Sequence, residues 1–124
     1  MTTFSTLGLR PEIVQALDTM GFSTPTDIQG QTIPHILNST QDLVALAQTG
    51  TGKTGAFSLP IISKIDPVLN RTQALILCPT RELCLQISKD IRAFLSFLPT
   101  IKVAAIYGGD SYTTQLRALQ AGPQ

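Results

Sequence analysis

The residues with the most definite chemistry stand together as Ala47-Gln48-Thr49-Gly50-Thr51-Gly52-Lys53-Thr54. Glycines, a lysine and a threonine at this spacing make a phosphate-binding loop. Gly50 and Gly52 let the backbone turn with its amides pointing inward. Those amides, with the N-terminus of the helix that follows, form an anion cradle. Lys53 can reach terminal phosphates, and the Thr54 hydroxyl is placed for a magnesium ion. Lys53 and Thr54 are therefore the candidate catalytic pair, with Thr54 the candidate metal ligand. Charge-assisted hydrogen bonds of this kind contribute ~1.5–3 kcal/mol each. Ala47 occupies the place of the pattern's first glycine, but the glycine needed for close phosphate approach is kept. An ordinary glycine-rich turn before a helix is the bland alternative. The loop's place after an apolar run and before a helical stretch argues against it.

Upstream lies Gly21-Phe22-Ser23-Thr24-Pro25-Thr26-Asp27-Ile28-Gln29. A Gln side chain carries an acceptor and a donor side by side and matches one edge of adenine, a pairing that discriminates between bases by ~1–3 kcal/mol. Phe22 can stack on the ring. The same spacing, Thr26-x-x-Gln29, is also a capping box in which Gln29 folds back to close the helix start. Spacing alone leaves both readings open.

A third feature is Pro79-Thr80-Arg81-Glu82-Leu83. Thr80 is a good helix N-cap and Arg81 falls in the first turn. Free amides and one cation can then receive a phosphate without a basic surface. Helix capping and dipole matching also account for Thr80 and Glu82 without any ligand. Gln115 and Arg117 can face the same rim, although most such residues are solvated helix surface. His35 has no second ligand nearby in sequence, and Cys84 between two leucines reads as packing.

The elements that must position these residues follow from the apolar pattern. Helical stretches are expected over residues 10–20, 26–38 (interrupted at Pro34), 53–65 (kinked at Pro60), 80–98 and 111–121. The long one puts Leu83, Ile87, Ile91, Phe94 and Leu98 on one face. Apolar runs over residues 43–47, 74–78 and 102–107 are the strand candidates. Strand and helix alternate, which implies parallel βαβ units with right-handed crossovers. Ligands in such sheets bind at the carboxyl ends of the strands. The three punctuating loops, at residues 47–52, 79–81 and 108–110, all lie there.

The chain has 124 residues, 43% of them hydrophobic and 14% charged, with a net charge of +1. That excludes a disordered chain, where charge is high and apolar content low. It also excludes nucleic-acid binding by bulk charge. No apolar run has the length of a membrane span, and the start lacks a signal pattern. A cytoplasmic protein with reduced Cys78 and Cys84 is expected.

The segment from Gly21 to Gln29, with the isolated Phe4 upstream, resembles the Q motif of DEAD-box RNA helicases. The loop ending Gly52-Lys53-Thr54 resembles their motif I, Pro79 to Leu83 their motif Ia, and Gly108-Gly109 their next landmark. The four occur in order across nearly the whole chain, and the finer pattern looks most like the bacterial type. The resemblance implies an α/β fold, a partial, truncated RecA-like P-loop domain with a parallel sheet and helices on both faces. Residues 1–38 would be a Q-motif helical segment and residues 39–124 the first half of the first RecA-like ATP-binding domain. It implies ATP and Mg2+ as cofactors. Phe4, Phe22, Thr24 and Gln29 would serve the adenine, and Gln48, Thr49, Gly50, Thr51, Gly52, Lys53 and Thr54 the phosphates. Pro79, Thr80, Arg81, Gly108 and Gly109 would contact the backbone of RNA with little sequence specificity. The partners implied are RNA, adenine nucleotide and a second RecA-like domain.

The family's Asp-Glu-Ala-Asp, Thr-Pro-Gly-Arg and Ser-Ala-Thr landmarks are absent from this chain. No two acidic residues are adjacent, and no acid closes an apolar strand to coordinate the metal that P-loop hydrolysis needs. The chain is therefore expected to be the first part of a helicase and inactive by itself, with an open apolar edge beside residues 43–47. A DNA helicase shares the phosphate loop but not the combination of Q motif and Pro-Thr-Arg-Glu-Leu. A small P-loop kinase usually begins with the loop's own strand. A non-enzymatic nucleotide-binding module is supported only by the missing landmarks.

Overall fold

The computed structural model describes residues 2–124. A 3-10 turn, Phe4–Thr6, leads into five helices: α1 Pro11–Thr19, α2 Asp27–Asn38, α3 Lys53–Lys64, α4 Arg81–Phe94 and α5 Tyr112–Gln120. Each starts where its sequence provides a start. Pro11 opens α1 with Glu12 in its first turn, Thr26 caps α2, Thr80 caps α4 and Ser111 caps α5. These devices satisfy amides that have no partner inside the helix.

The core gathers one face of each of α1, α3 and α4. Ile13 and Leu17 from α1, Leu59 and Ile62 from α3, and Ile87, Ile91 and Phe94 from α4 are buried together, with Phe4, Leu7 and Ile33. Removing each such side chain from water contributes ~1.5–3 kcal/mol. Arg10 joins the layers: its guanidinium donates to the carbonyls of Ser63 (2.9 Å) and Ile65 (2.8 Å). A cation is thus held at the C-terminal end of α3, where the helix dipole favours it.

The helix expected to be interrupted at Pro34 runs through it as α2, and Pro60 lies inside α3. Pro60 offers no N–H to the carbonyl four residues earlier, that of Ala56. The buried Thr32 hydroxyl lies within 3.2 Å of that carbonyl and 2.7 Å of the Ile28 carbonyl, so the freed acceptor finds a donor on α2. Helix α4 stops at Phe94 rather than running to residue 98. A closing turn follows, with Leu98 N–H donating to the Leu95 carbonyl. Leu95 and Ile101 are buried by that turn and Leu98 packs against the core, so the apolar spacing is used without a continuous helix.

The expected parallel sheet is not formed: the described residues contain no strand. A ladder takes its hydrogen bonds from a neighbouring backbone, and among the described residues no backbone hydrogen bonds join residues 43–47, 74–78 and 102–107 to one another. Residues 74–78 still alternate as a half-buried strand does. Ala74, Ile76 and Cys78 pack against the core, while Leu75 and Leu77 are 78% and 85% exposed. A cavity of about 630 Å³ is lined by both 74–78 and the 102–107 region. At its edge the Gln124 carbonyl accepts from the N–H groups of Gln73 and Ala74, and the Gln124 Oε1 accepts from Lys102 N–H.

Candidate nucleotide and nucleic-acid site

The phosphate loop is shaped by two glycines in the left-handed region, Gly50 at φ 77° and Gly52 at φ 86°. Gly52 is the N-cap of α3, so the helix begins at Lys53 and its first amides face the loop. The Thr51 hydroxyl donates to the Gln48 carbonyl at 2.7 Å and the Lys53 ammonium to the Ala47 carbonyl at 2.7 Å. Lys53 thus lies across the loop, and a phosphate there would compete with a single carbonyl for it. Thr54 stands one residue on, partly exposed. No group of three or more His, Cys, Asp or Glu side chains that could hold a metal comes together among the described residues.

Gln29 adopts the capping-box arrangement. Its Oε1 accepts from Thr26 N–H at 3.0 Å and its own N–H donates to the Thr26 hydroxyl at 3.5 Å. Its Nε2 also donates to the Gly52 carbonyl at 3.1 Å, tying the start of α2 to the phosphate loop. One N–H and one lone pair of the amide remain for another ligand. The fit is close: a Cβ on Gly52 would lie 2.5 Å from Gln29 Nε2, and one on Gly55 would lie 2.8 Å from it. Between the α2 cap and the loop is a cavity of about 500 Å³ lined by Thr26, Asp27, Ile28, Gln31, Leu46, Ala47, Gln48 and Thr51.

Phe22 is presented by the end of α1. Gly21 has φ 82°, and the N–H groups of Gly21 and Phe22 donate to the carbonyls of Asp18 and Leu17. This is the Schellman arrangement, which stops the helix and turns the chain outward. Phe22 is 48% exposed, and Thr24 is exposed beside it. Phe4 does not join them. Its ring is 4% exposed within the core, so it packs there instead of facing the loop. His35 lies on α2 with a buried Nε2 that has no partner among the described residues.

The second site unites two features that the sequence kept 26 residues apart. The Arg81 guanidinium lies over the Tyr107 ring, 4.9 Å from its centroid. A Cβ on Gly109, which has φ 88°, would lie 3.2 Å from Arg81 Nη1. Thr80 accepts from Leu83 N–H at 3.2 Å as the N-cap of α4. Thr80, Arg81, Gly108 and Tyr107 share one cavity lining with Pro79. Tyr107 and the clamping role of Gln115 were not legible in the pattern. Gln115 takes the Tyr107 N–H on its Oε1 (3.0 Å) and donates to the Tyr107 carbonyl (2.9 Å). A hydrogen bond with Asp110, then desolvation, raises the Tyr107 phenol above its ordinary range, against the opposite pull of Arg81.

A glycine-shaped cradle at a helix start, with a capping glutamine bound to it, has the form of a P-loop. The family model of the DEAD/DEAH box helicases matches residues 26–124. The chain belongs to that family. It is 47% identical over 123 residues to the ATP-dependent RNA helicase DeaD of Escherichia coli, covering 99% of this chain and 19% of that protein. It superposes with a TM-score of 0.89 on a DEAD box protein from Methanococcus jannaschii, at 37% identity, covering 99% of this chain and 33% of the other. Saccharomyces cerevisiae Dbp5 bound to RNA and ADP BeF3 is similar at a TM-score of 0.77 and 31% identity, over 90% of this chain and 30% of that one. The chain thus spans about a fifth of the length of the curated relatives it matches. No helix among the described residues is long and apolar enough to cross a membrane.

Proposed function

We propose that this chain forms the nucleotide-binding and part of the RNA-binding surface of an ATP-dependent RNA helicase that works in the cytoplasm. The observation that carries the reading is the bond from Gln29 to the Gly52 carbonyl, which links the adenine-recognising segment to the phosphate loop. Phe22, Thr24 and Gln29 receive adenine. Gln48 to Thr54 hold the phosphates, with Lys53 neutralising their charge, and Thr54 is the residue that would hold Mg2+. When bound, the ion supplies charge neutralisation and orientation of the phosphates. Phe4 supports this region from the core.

Pro79, Thr80, Arg81, Gly108 and Gly109 receive the RNA backbone, through amides and one cation, without reading bases. In the longer protein a second RecA-like domain closes on the first with ATP and RNA, bending one strand of a short duplex, and hydrolysis releases it. The parallel sheet is completed there by strands lying beside residues 43–47, 74–78 and 102–107, a reading supported by the bonds of Gln124 to Gln73, Ala74 and Lys102.

The test is ATP hydrolysis by the full-length protein with and without single-stranded RNA, with Lys53→Ala as control. RNA-stimulated turnover that falls at least ~100-fold in the variant supports the reading, the size being that of lost transition-state electrostatics. Equal stimulation by DNA of the same sequence favours the DNA-helicase alternative. The 124-residue chain alone binds adenine nucleotide weakly and does not turn it over. RNA-stimulated hydrolysis by that chain would overturn this part.

A further inference from the structure

We infer that Tyr107 is a positioning residue: its ring holds the Arg81 guanidinium in the orientation in which it meets an RNA phosphate. The inference rests on the RNA reading of Thr80 and Arg81 given above.

Arg81 is the first residue of α4, where the positive end of the helix dipole opposes a cation. An anion is favoured there, so the guanidinium needs a local partner to stay until one arrives. The face of Tyr107 is that partner, at 4.9 Å, because the negative face of an aromatic ring attracts a planar cation. Gly109 confines Arg81 further: a Cβ there would lie 3.2 Å from Nη1, and its φ of 88° favours glycine.

Tyr107 is itself fixed. Both of its main-chain polar groups are taken by the Gln115 amide, at 3.0 and 2.9 Å. Gln115, 8 residues away on α5, thus does for Tyr107 what a neighbouring strand does in a sheet. A long side chain held this way loses less freedom when its ligand binds, and that raises affinity.

The experiment is a double-mutant cycle on the full-length protein, reading the affinity for single-stranded RNA at several salt concentrations. Arg81→Ala lowers affinity and reduces the salt slope by ~0.7, the value for one lost phosphate contact on a single strand. Tyr107→Leu lowers affinity ~2–5-fold, the size of an exposed cation–π contact, but has no further effect in the Arg81→Ala background. Tyr107→Phe keeps the ring and keeps the affinity. In the wild-type protein the Arg81 side-chain protons are shifted upfield by the ring, an NMR observation that needs no variant. If Arg81→Ala changes neither affinity nor slope, the RNA reading of this motif fails. If Arg81→Ala acts as stated but Tyr107→Leu weakens both backgrounds equally, or the upfield shift is absent, the positioning inference fails alone.

Discussion

The side-chain amide of Gln29 donates to the carbonyl of Gly52 at 3.1 Å, joining residues 23 positions apart. The same amide closes the capping box of α2 through Thr26. Of the two readings that the spacing Thr26-x-x-Gln29 leaves open, the structure shows the capping box, and the same side chain also reaches the phosphate loop. The bond couples the N-terminus of α2 to the phosphate loop.

That coupling is tested by Gly52→Ala. The residue would have to hold φ 86° and place its Cβ 2.5 Å from Gln29 Nε2. The left-handed conformation alone costs an alanine ~1–2 kcal/mol, before Gln29 is displaced. Nucleotide affinity and thermal stability both fall. Gln29→Ala lowers both as well, but the double variant is less damaged than the sum, because the clash is gone. Strict additivity in calorimetry would show that the two positions act independently.

Thr32 replaces the hydrogen bond that Pro60 withholds from the Ala56 carbonyl. Thr32→Val keeps the shape and removes the donor, leaving a buried acceptor unpaired at a cost of ~1–3 kcal/mol. Thr32→Ser retains most of the stability. Urea unfolding with an unchanged m-value should separate the two variants; equal midpoints would rule out the compensation.

The Cys78 thiol is raised above its ordinary value of 9.0, by burial first and then by the charge and hydrogen bonding of Cys84. The fold favours the neutral thiol. Its contribution to stability is complete below the ordinary thiol value and is lost as pH rises through the raised one. Alkylation of Cys78 by iodoacetamide near pH 8 is expected to be slower than that of an unstructured thiol, and faster after Cys84→Ala. Mass spectrometry of timed quenches gives both rates. A Cys78 rate equal to that of the free thiol would contradict the direction.

Val44 and Leu46 are 86% and 90% exposed on the run that precedes the phosphate loop. An exposed apolar backbone edge invites pairing with another chain. The 124-residue chain is expected to self-associate with rising concentration, and Val44→Lys with Leu46→Lys to restore a monomer. Light scattering after gel filtration checks this. A wild-type chain that stays monomeric at high concentration would count against the edge as the cause.

The phosphate loop, the helix caps and most of the helices were legible because they depend on near neighbours. Gly50 and Gly52 need left-handed backbone wherever the chain goes next, and Pro11, Thr26, Thr80 and Ser111 start helices through contacts within one turn. Pro34 does not interrupt α2, since whether a proline breaks a helix depends on its surroundings. For Pro60, Thr32 on another helix supplies the missing donor. The end of α4 was misplaced because Leu95, Leu98 and Ile101 reach the core from a turn as well as a helix would reach it.

By itself the sequence determined which chemistry-bearing residues are present: a glycine-rich loop with Lys53 and Thr54, a glutamine at a capping-box position and an arginine at a helix start. It also marked residues 74–78 as a buried strand candidate, whereas the structure exposes Leu75 and Leu77. Only the tertiary structure decided which of these groups meet. It carried Gln29 to Gly52, Thr32 to Ala56 and Tyr107 to Arg81, and it took Phe4 into the core. It also decided that three strand-like runs form no ladder here. A helix completes its hydrogen bonds within its own segment, whereas a strand takes them from a partner that local sequence does not specify.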